Sequence, residues 1–171
     1  AYLFAVIGAE YVLNMLPKGT SSQSCNAVAP GWKLRVRFND TTYNLEPNIK
    51  ESPGGLRDLQ TILWLSRASG LGFNWNALVK SALITASELR QIRRHEQHLQ
   101  TLRIHLHYMG KRREDRLIFD LQNGLAEALG FSNHKHHRAS EQLMHAYYRS
   151  AKFVSLINEI LLQSIQEIVE P

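Results

Sequence analysis

The strongest candidate for chemistry in this chain is a short constellation around a double glycine. Lys50 precedes Pro53-Gly54-Gly55, and Arg57 and Asp58 follow within what reads as the first turn of a helix. Glycines at a helix start let the backbone come close to another surface or to an anion. An arginine in that turn can fork onto a phosphate or a carboxylate. Lys50, Arg57 and Asp58 are therefore the candidate site residues, with phosphate contact and orientation as their role rather than bond making. The same residue types also fit a tight loop-to-helix junction, with Arg57 and Asp58 in structural ion pairs. The string is not a P-loop, because the G-x-x-x-x-G-K-[ST] spacing is missing.

Eight histidines raise the question of a metal. His134, His136 and His137 crowd one polar segment, whereas zinc ligands usually come from separated elements. His95-Glu96-Gln97-His98 is one residue short of H-E-x-x-H, whose histidines share a helix face four residues apart. His105 and His107 are two apart and point to different sides of a helix. No metal site is expected. The run Lys111-Arg112-Arg113-Glu114-Asp115-Arg116 reads as a solvated junction at a helix start. Glu114 and Asp115 suit the positive end of the helix dipole, and Arg116 needs solvent or a partner. No Ser-His-Asp set, Cys-His pair or paired-carboxylate motif emerges, so no catalytic residue is assigned.

The elements that must position these groups are helices. Ser52 can cap and Pro53 fits a first helical position. Leu56, Leu59 and Leu63, with Trp64 beside them, then mark an apolar face that should end near Gly70 and Gly72. A short helix is expected around Asn76 to Ile84. Thr85 and Glu88 make a capping box for a long helix. Its stripe is Leu89, Ile92, Leu99, Leu102, Leu106 and Met109, and Gly110 should stop it. A further helix is expected from about Glu114 to Leu129, with Ile118, Leu121, Leu125 and Ala128 inward and Gly130 as its stop. The last should run from about Arg138 to Val169, burying Leu143, Tyr147, Ala151, Val154, Leu161, Ile165 and Ile168. The fold class expected is all-α, a bundle of about four to six helices. Ahead of it lie an apolar stretch to Leu16, a Pro/Gly/Ser-rich linker over 17–32, and Leu34, Val36 and Phe38 alternating with Lys33, Arg35 and Arg37. That alternation fits either a short hairpin or an irregular segment.

Composition agrees with this frame. Hydrophobic residues at 44% and charged residues at 20% are globular proportions, not those of a disordered chain. The chain opens on Ala1 and is expected to be part of a longer product. A lone Cys25 excludes a disulfide framework and suits a reducing cytoplasm. The apolar first segment contains Glu10 and is too short to span a bilayer. The net charge of +5 favours anionic partners without choosing among them. A stand-alone basic helical module for nucleic acid is the rival reading. It is disfavoured because the basic residues recur along the chain rather than forming a stripe.

Three blocks then point further. Y-N-L-E-P-N-I-K-E-S-P-G-G-L-R-D-L-Q-T-I-L-W runs from Tyr43 to Trp64, and G-K-R-R-E-D-R-L-I-F-D-L-Q from Gly110 to Gln122. M-H-A-Y-Y-R-S-A-K, from Met144 to Lys152, is followed by L-I-N-E-I-L-L-Q, from Leu156 to Gln163. In order and spacing they resemble the bacterial bifunctional PII uridylyltransferase/uridylyl-removing enzymes, over Arg35 to Gln166. Glutamine synthetase adenylyltransferases share a weaker G-G-[LI]-R pattern but lack the Y-N-L-E-P block. The resemblance implies a four-part enzyme: nucleotidyltransferase, helical segment, HD phosphohydrolase and two ACT domains. It implies transfer of UMP from UTP to the PII nitrogen-regulatory protein, with magnesium and UTP as the full enzyme's needs and none bound by this segment. PII and the neighbouring nucleotidyltransferase and HD domains are the implied partners, and the cytoplasm the implied location. The family's G-S motif with its aspartate pair is absent here, and so is any adjacent His-Asp pair. On this reading residues 1–51 are a divergent edge of the nucleotidyltransferase domain and 52–171 the helical bundle, a fragment inactive alone.

Overall fold

The computed structural model describes residues 45–134 and 137–169. The apolar first segment, the linker, the hairpin-or-irregular stretch, Cys25 and His136 lie outside the described residues. Among the described residues the chain is an all-α bundle of five helices: α1 (Leu56–Ala68), α2 (Trp75–Lys80), α3 (Ala86–Gly110), α4 (Phe119–Ala128) and α5 (Ala139–Val169). No strand forms there beyond two isolated bridges, Asn48 with Arg116 and His134 with His137. No described helix is long and apolar enough to cross a membrane.

The bundle is organised on α5, the longest helix, which packs against α1, α3 and α4. Its Leu143, Tyr147, Val154, Leu161 and Ile165 recur at four- and seven-residue steps and are all buried, so they lie along one side. Facing it are Leu59, Ile62 and Leu65 of α1, Ile92, Leu99, Leu102 and Leu106 of α3, and Leu125 of α4. Full burial of such a side chain contributes roughly 1.5–3 kcal/mol. That stripe, not helix propensity, holds the bundle together.

Local chemistry sets the helix ends. The capping box forms as expected: the Glu88 amide donates to Thr85 Oγ1 at 3.2 Å, and the Thr85 amide to Glu88 Oε2 at 2.7 Å. α2 is capped by Asn74, whose Oδ1 accepts from the Ala77 amide at 2.9 Å. It is shorter than expected, giving way to a turn in which Ala82 takes a left-handed φ of 58°. Gly130, with φ 83°, follows α4 as its stop. In α3 the stop falls one residue later, on a left-handed Lys111.

Two starts differ from the sequence expectation. α1 begins at Leu56 rather than at Ser52, because Gly54 takes a φ of 77° that no right-handed helix contains. Ser52 does not cap the helix, whose N-cap position is Gly55 with no side-chain cap bond; its Oγ instead accepts from the Asn48 amide at 2.9 Å and closes the turn. α4 begins at Phe119, not Glu114. The Leu117 amide donates sideways to the Pro47 carbonyl at 2.9 Å, and the Asp115 carbonyl accepts from Ile49 at 2.8 Å. Backbone groups used laterally cannot also serve a helical turn. Glu114 and Asp115 therefore do not sit on a helix dipole. The inward residues shift accordingly, with Leu117 and Ala126 buried in place of Ile118 and Ala128. At the far end Ile168 is 51% exposed rather than buried.

Candidate functional site

The lead-in to α1 is a tightly hydrogen-bonded turn. Asn48 Oδ1 accepts from the amides of Lys50 at 3.0 Å and Glu51 at 2.8 Å. The first amides of α1 are then used within the turn: Leu56 donates to the Ile49 carbonyl at 3.1 Å and Arg57 to the Lys50 carbonyl at 2.9 Å. These groups, which at an open helix end would face solvent or an anion, are already satisfied. The double glycine serves close approach to protein. Gly54 lies against the backbone of α5, and a Cβ there would overlap the Ala151 carbonyl oxygen. A Cβ on Gly55 would press on the carbonyls of Ser52, Ile49 and Lys50.

Lys50, Arg57 and Asp58 are all brought to this turn, on two levels. Near the surface, Glu51 Oε1 receives Arg57 Nη2 at 2.6 Å and Lys50 Nζ at 3.3 Å. Burial pushes the Glu51 carboxyl up, but the hydrogen bonds and charges of Arg57 and Lys50 outweigh it and hold the group below its usual range. The Arg57 guanidinium also lies 5.8 Å from the centre of the Trp64 ring, within reach of a cation–π attraction. Beneath them Asp58 is buried and accepts from the Gly54 amide at 2.7 Å. Its partner is thus a backbone amide, not a side-chain cation. Burial raises its carboxyl to about 6, against the Gly54 hydrogen bond and helped by the charge of Glu51. Burial likewise raises the phenol of Tyr147, with Tyr148 and Asp58 adding to the shift.

A second cluster ties the turn to the α3–α4 connection. Asp115 Oδ1 receives Arg103 Nε at 2.6 Å and His107 Nε2 at 2.8 Å. Burial pushes this carboxyl up, yet Arg103 and His107 outweigh it and hold it below its usual range. Phe119 donates its amide to Glu46 Oε1 at 3.0 Å, and Gln122 Nε2 reaches the Leu45 carbonyl at 3.1 Å. Sequence reasoning placed Asp115 in a solvated run and missed this role. Only a partner twelve residues back on α3 reveals it.

Beside the turn, Pro53 and one face of α5 enclose a cleft of about 360 Å³ lined by His145, Tyr148, Arg149, Ala151, Lys152 and Ser155. This was also missed, although the sequence held a signal: His145, Arg149 and Lys152 are spaced four and three apart, one stripe of a helix. The histidine groups go elsewhere. His95 Nδ1 lies 3.0 Å from Ser150 Oγ and its ring stacks on Phe153 at 4.4 Å. Burial, then the charges of His98 and Arg149, lower its basicity. No group of three or more His, Cys, Asp or Glu residues able to hold a metal occurs among the described residues.

Relatives in sequence identify the family. The family described as GlnD PII-uridylyltransferase matches residues 28–162. A bifunctional uridylyltransferase/uridylyl-removing enzyme of Bordetella avium is 55% identical over 136 residues, which cover 80% of this chain. Enzymes of the same description from Chromobacterium violaceum and Nitrosospira multiformis are 56% and 53% identical over 77% and 79% of the chain. The chain spans 16% of the Bordetella avium protein and 15% of each of the other two. No solved structure matches the chain.

Proposed function

Because this chain belongs to the GlnD PII-uridylyltransferase family, we propose that it is the helical segment of an enzyme that transfers UMP from UTP to the PII regulatory protein and removes it again. In this reading the segment braces the nucleotidyltransferase core and helps form the cleft where nucleotide and PII meet. It makes and breaks no bonds, and alone it is inactive. UTP and magnesium belong to the neighbouring nucleotidyltransferase domain, the removing reaction to the HD domain, and the whole works in the cytoplasm. Lys50 and Arg57 contact nucleotide phosphate, and Asp58 orients the turn that carries them.

The observation that supports this most is convergence. The three blocks that carry the family resemblance are far apart in sequence, and the first of them touches both of the others. Residues 47–49 pair with 115–117, and Gly54 and Pro53 abut the Ala151 region of α5. Arg57 arrives there with its guanidinium held by Glu51 and set over Trp64, so little side-chain freedom is left to lose when an anion binds.

The test is Arg57→Ala in the intact enzyme, with transferase kinetics and thermal melting on the same sample. Loss of one charge-assisted contact to phosphate typically costs about 1.5–3 kcal/mol, a rate or affinity loss of roughly ten- to a hundredfold. The ion pair to Glu51 is partly exposed and should contribute at most about 1 kcal/mol to folding. A large kinetic loss with a small change in melting is expected. Earlier melting with unchanged specific activity would make Arg57 purely scaffold.

A further inference from the structure

The cleft between Pro53 and α5 brings in His145, Tyr148, Arg149, Lys152 and Ser155, which the reading above does not use, and its chemistry points in one direction. Of the side chains that line it, His145, Arg149 and Lys152 are basic, Tyr148 and Ser155 carry hydroxyls, and Pro53 and Ala151 are apolar. No acidic residue lines it. Among the described residues neither Arg149 nor Lys152 takes part in an ion pair.

That arrangement has a cost. The like charges of Arg149 and Lys152, three residues apart on a helix, repel by a few tenths of a kcal/mol. Acids nearby in sequence do not relieve it here: Glu141 and Glu159 stand outside the lining. A concave, one-signed surface concentrates the potential instead and draws in anions. The two strong cations are exposed at the rim, whereas Ala151 is buried and Pro53 and Tyr148 are half-buried in the walls. The Tyr148 ring is set by an edge-on contact with Tyr147, centroids 5.2 Å apart. A flat apolar wall with two cations beside it suits a ligand that joins a planar ring to a phosphate. The volume of about 360 Å³ lies at the small end of ligand pockets, roughly 300–1,000 Å³. That is room for a ligand of about mononucleotide size.

We propose that the cleft formed by Pro53 and the His145–Ser155 face of α5 is a mononucleotide-binding site, with Arg149 and Lys152 holding the phosphate and Tyr148 packing on the base. It is a second site, and it stands whether or not Lys50 and Arg57 meet a nucleotide.

The experiment is a calorimetric titration of the 171-residue chain with UMP, uridine and inorganic phosphate in turn. UMP should bind at least tenfold more tightly than either half alone. Amide chemical shifts should move at Ala151, Lys152 and Ser155. Arg149→Gln with Lys152→Gln changes exposed positions, retains helix formers and should leave the melting temperature in place. It should weaken UMP ten- to a hundredfold. Tyr148→Leu should reduce UMP to the affinity of phosphate. Absence of saturable UMP binding would overturn the proposal. So would equal affinity for UMP and phosphate in the native chain, or UMP binding unchanged in the double variant.

Discussion

Asp58 shows how a single residue can look like a site and behave like a structural part. Its carboxyl is buried against the Gly54 amide, and its folded value of about 6 lies above the ordinary 3.8. Between those values the folded chain holds a proton that the unfolded chain has released. Its contribution to stability is therefore full below the lower value and is lost as pH rises through the upper one. Asp58→Asn keeps an oxygen for the Gly54 amide and cannot ionise. Relative to that variant, the native chain should lose stability between pH 3.8 and about 6, by on the order of 1–3 kcal/mol. Urea unfolding of both proteins at pH 4 and pH 7 measures this. Parallel behaviour would mean that Asp58 ionises as easily in the fold as in solution.

At the scale of elements, the central contact is the docking of the α1 lead-in on α5. Gly54 combines a left-handed φ of 77° with backbone-to-backbone contact at Ala151. An alanine there meets both penalties, and the obstruction is a carbonyl that cannot move without bending α5. Gly54→Ala should cost about 3 kcal/mol or more. Adding Ala151→Gly should not rescue it, since the side chain is not what collides. Gly70 provides the control: its φ is 73°, yet a Cβ there meets nothing within 4 Å. Gly70→Ala should cost only about 1–2 kcal/mol, the price of the left-handed backbone alone. Denaturant melts of the two variants separate packing from conformation. Similar losses would show that the contact with α5 is loose.

For the molecule as a whole, Asp115 is the fastening that turns helices into one unit. Its side chain engages Arg103 and His107 of α3, while its carbonyl receives Ile49 from the other end of the described chain. Asp115→Ala should cost about 1–2 kcal/mol near neutral pH, because two partly exposed partners lose their acceptor. Hydrogen exchange at the Ile49 and Leu117 amides should accelerate at the same time. The sign with pH is opposite to that of Asp58. The folded value of Asp115 is depressed, so its contribution is present above the ordinary carboxylate value and is lost as pH falls through the folded one. Unchanged exchange at Ile49 in the variant would mean that the backbone pairing holds without the side chain.

Much of this was legible in the residues alone. The stripes of α3 and α5, the Thr85–Glu88 capping box and the Gly130 stop are local patterns within one helix, and local hydrogen bonding and burial period determine them. So is the gathering of Lys50, Arg57 and Asp58 at one turn, since a few residues separate them. What the tertiary structure decided was which partner each group met. The start of α4 moved from Glu114 to Phe119 because residues 47–49 compete for its backbone. Asp115 left the solvated run for Arg103 and His107, and the basic stripe of α5 became a cleft only when Pro53 closed one side. A sequence encodes short-range choices directly, but a contact between distant segments depends on how the whole core packs, and no local pattern records it.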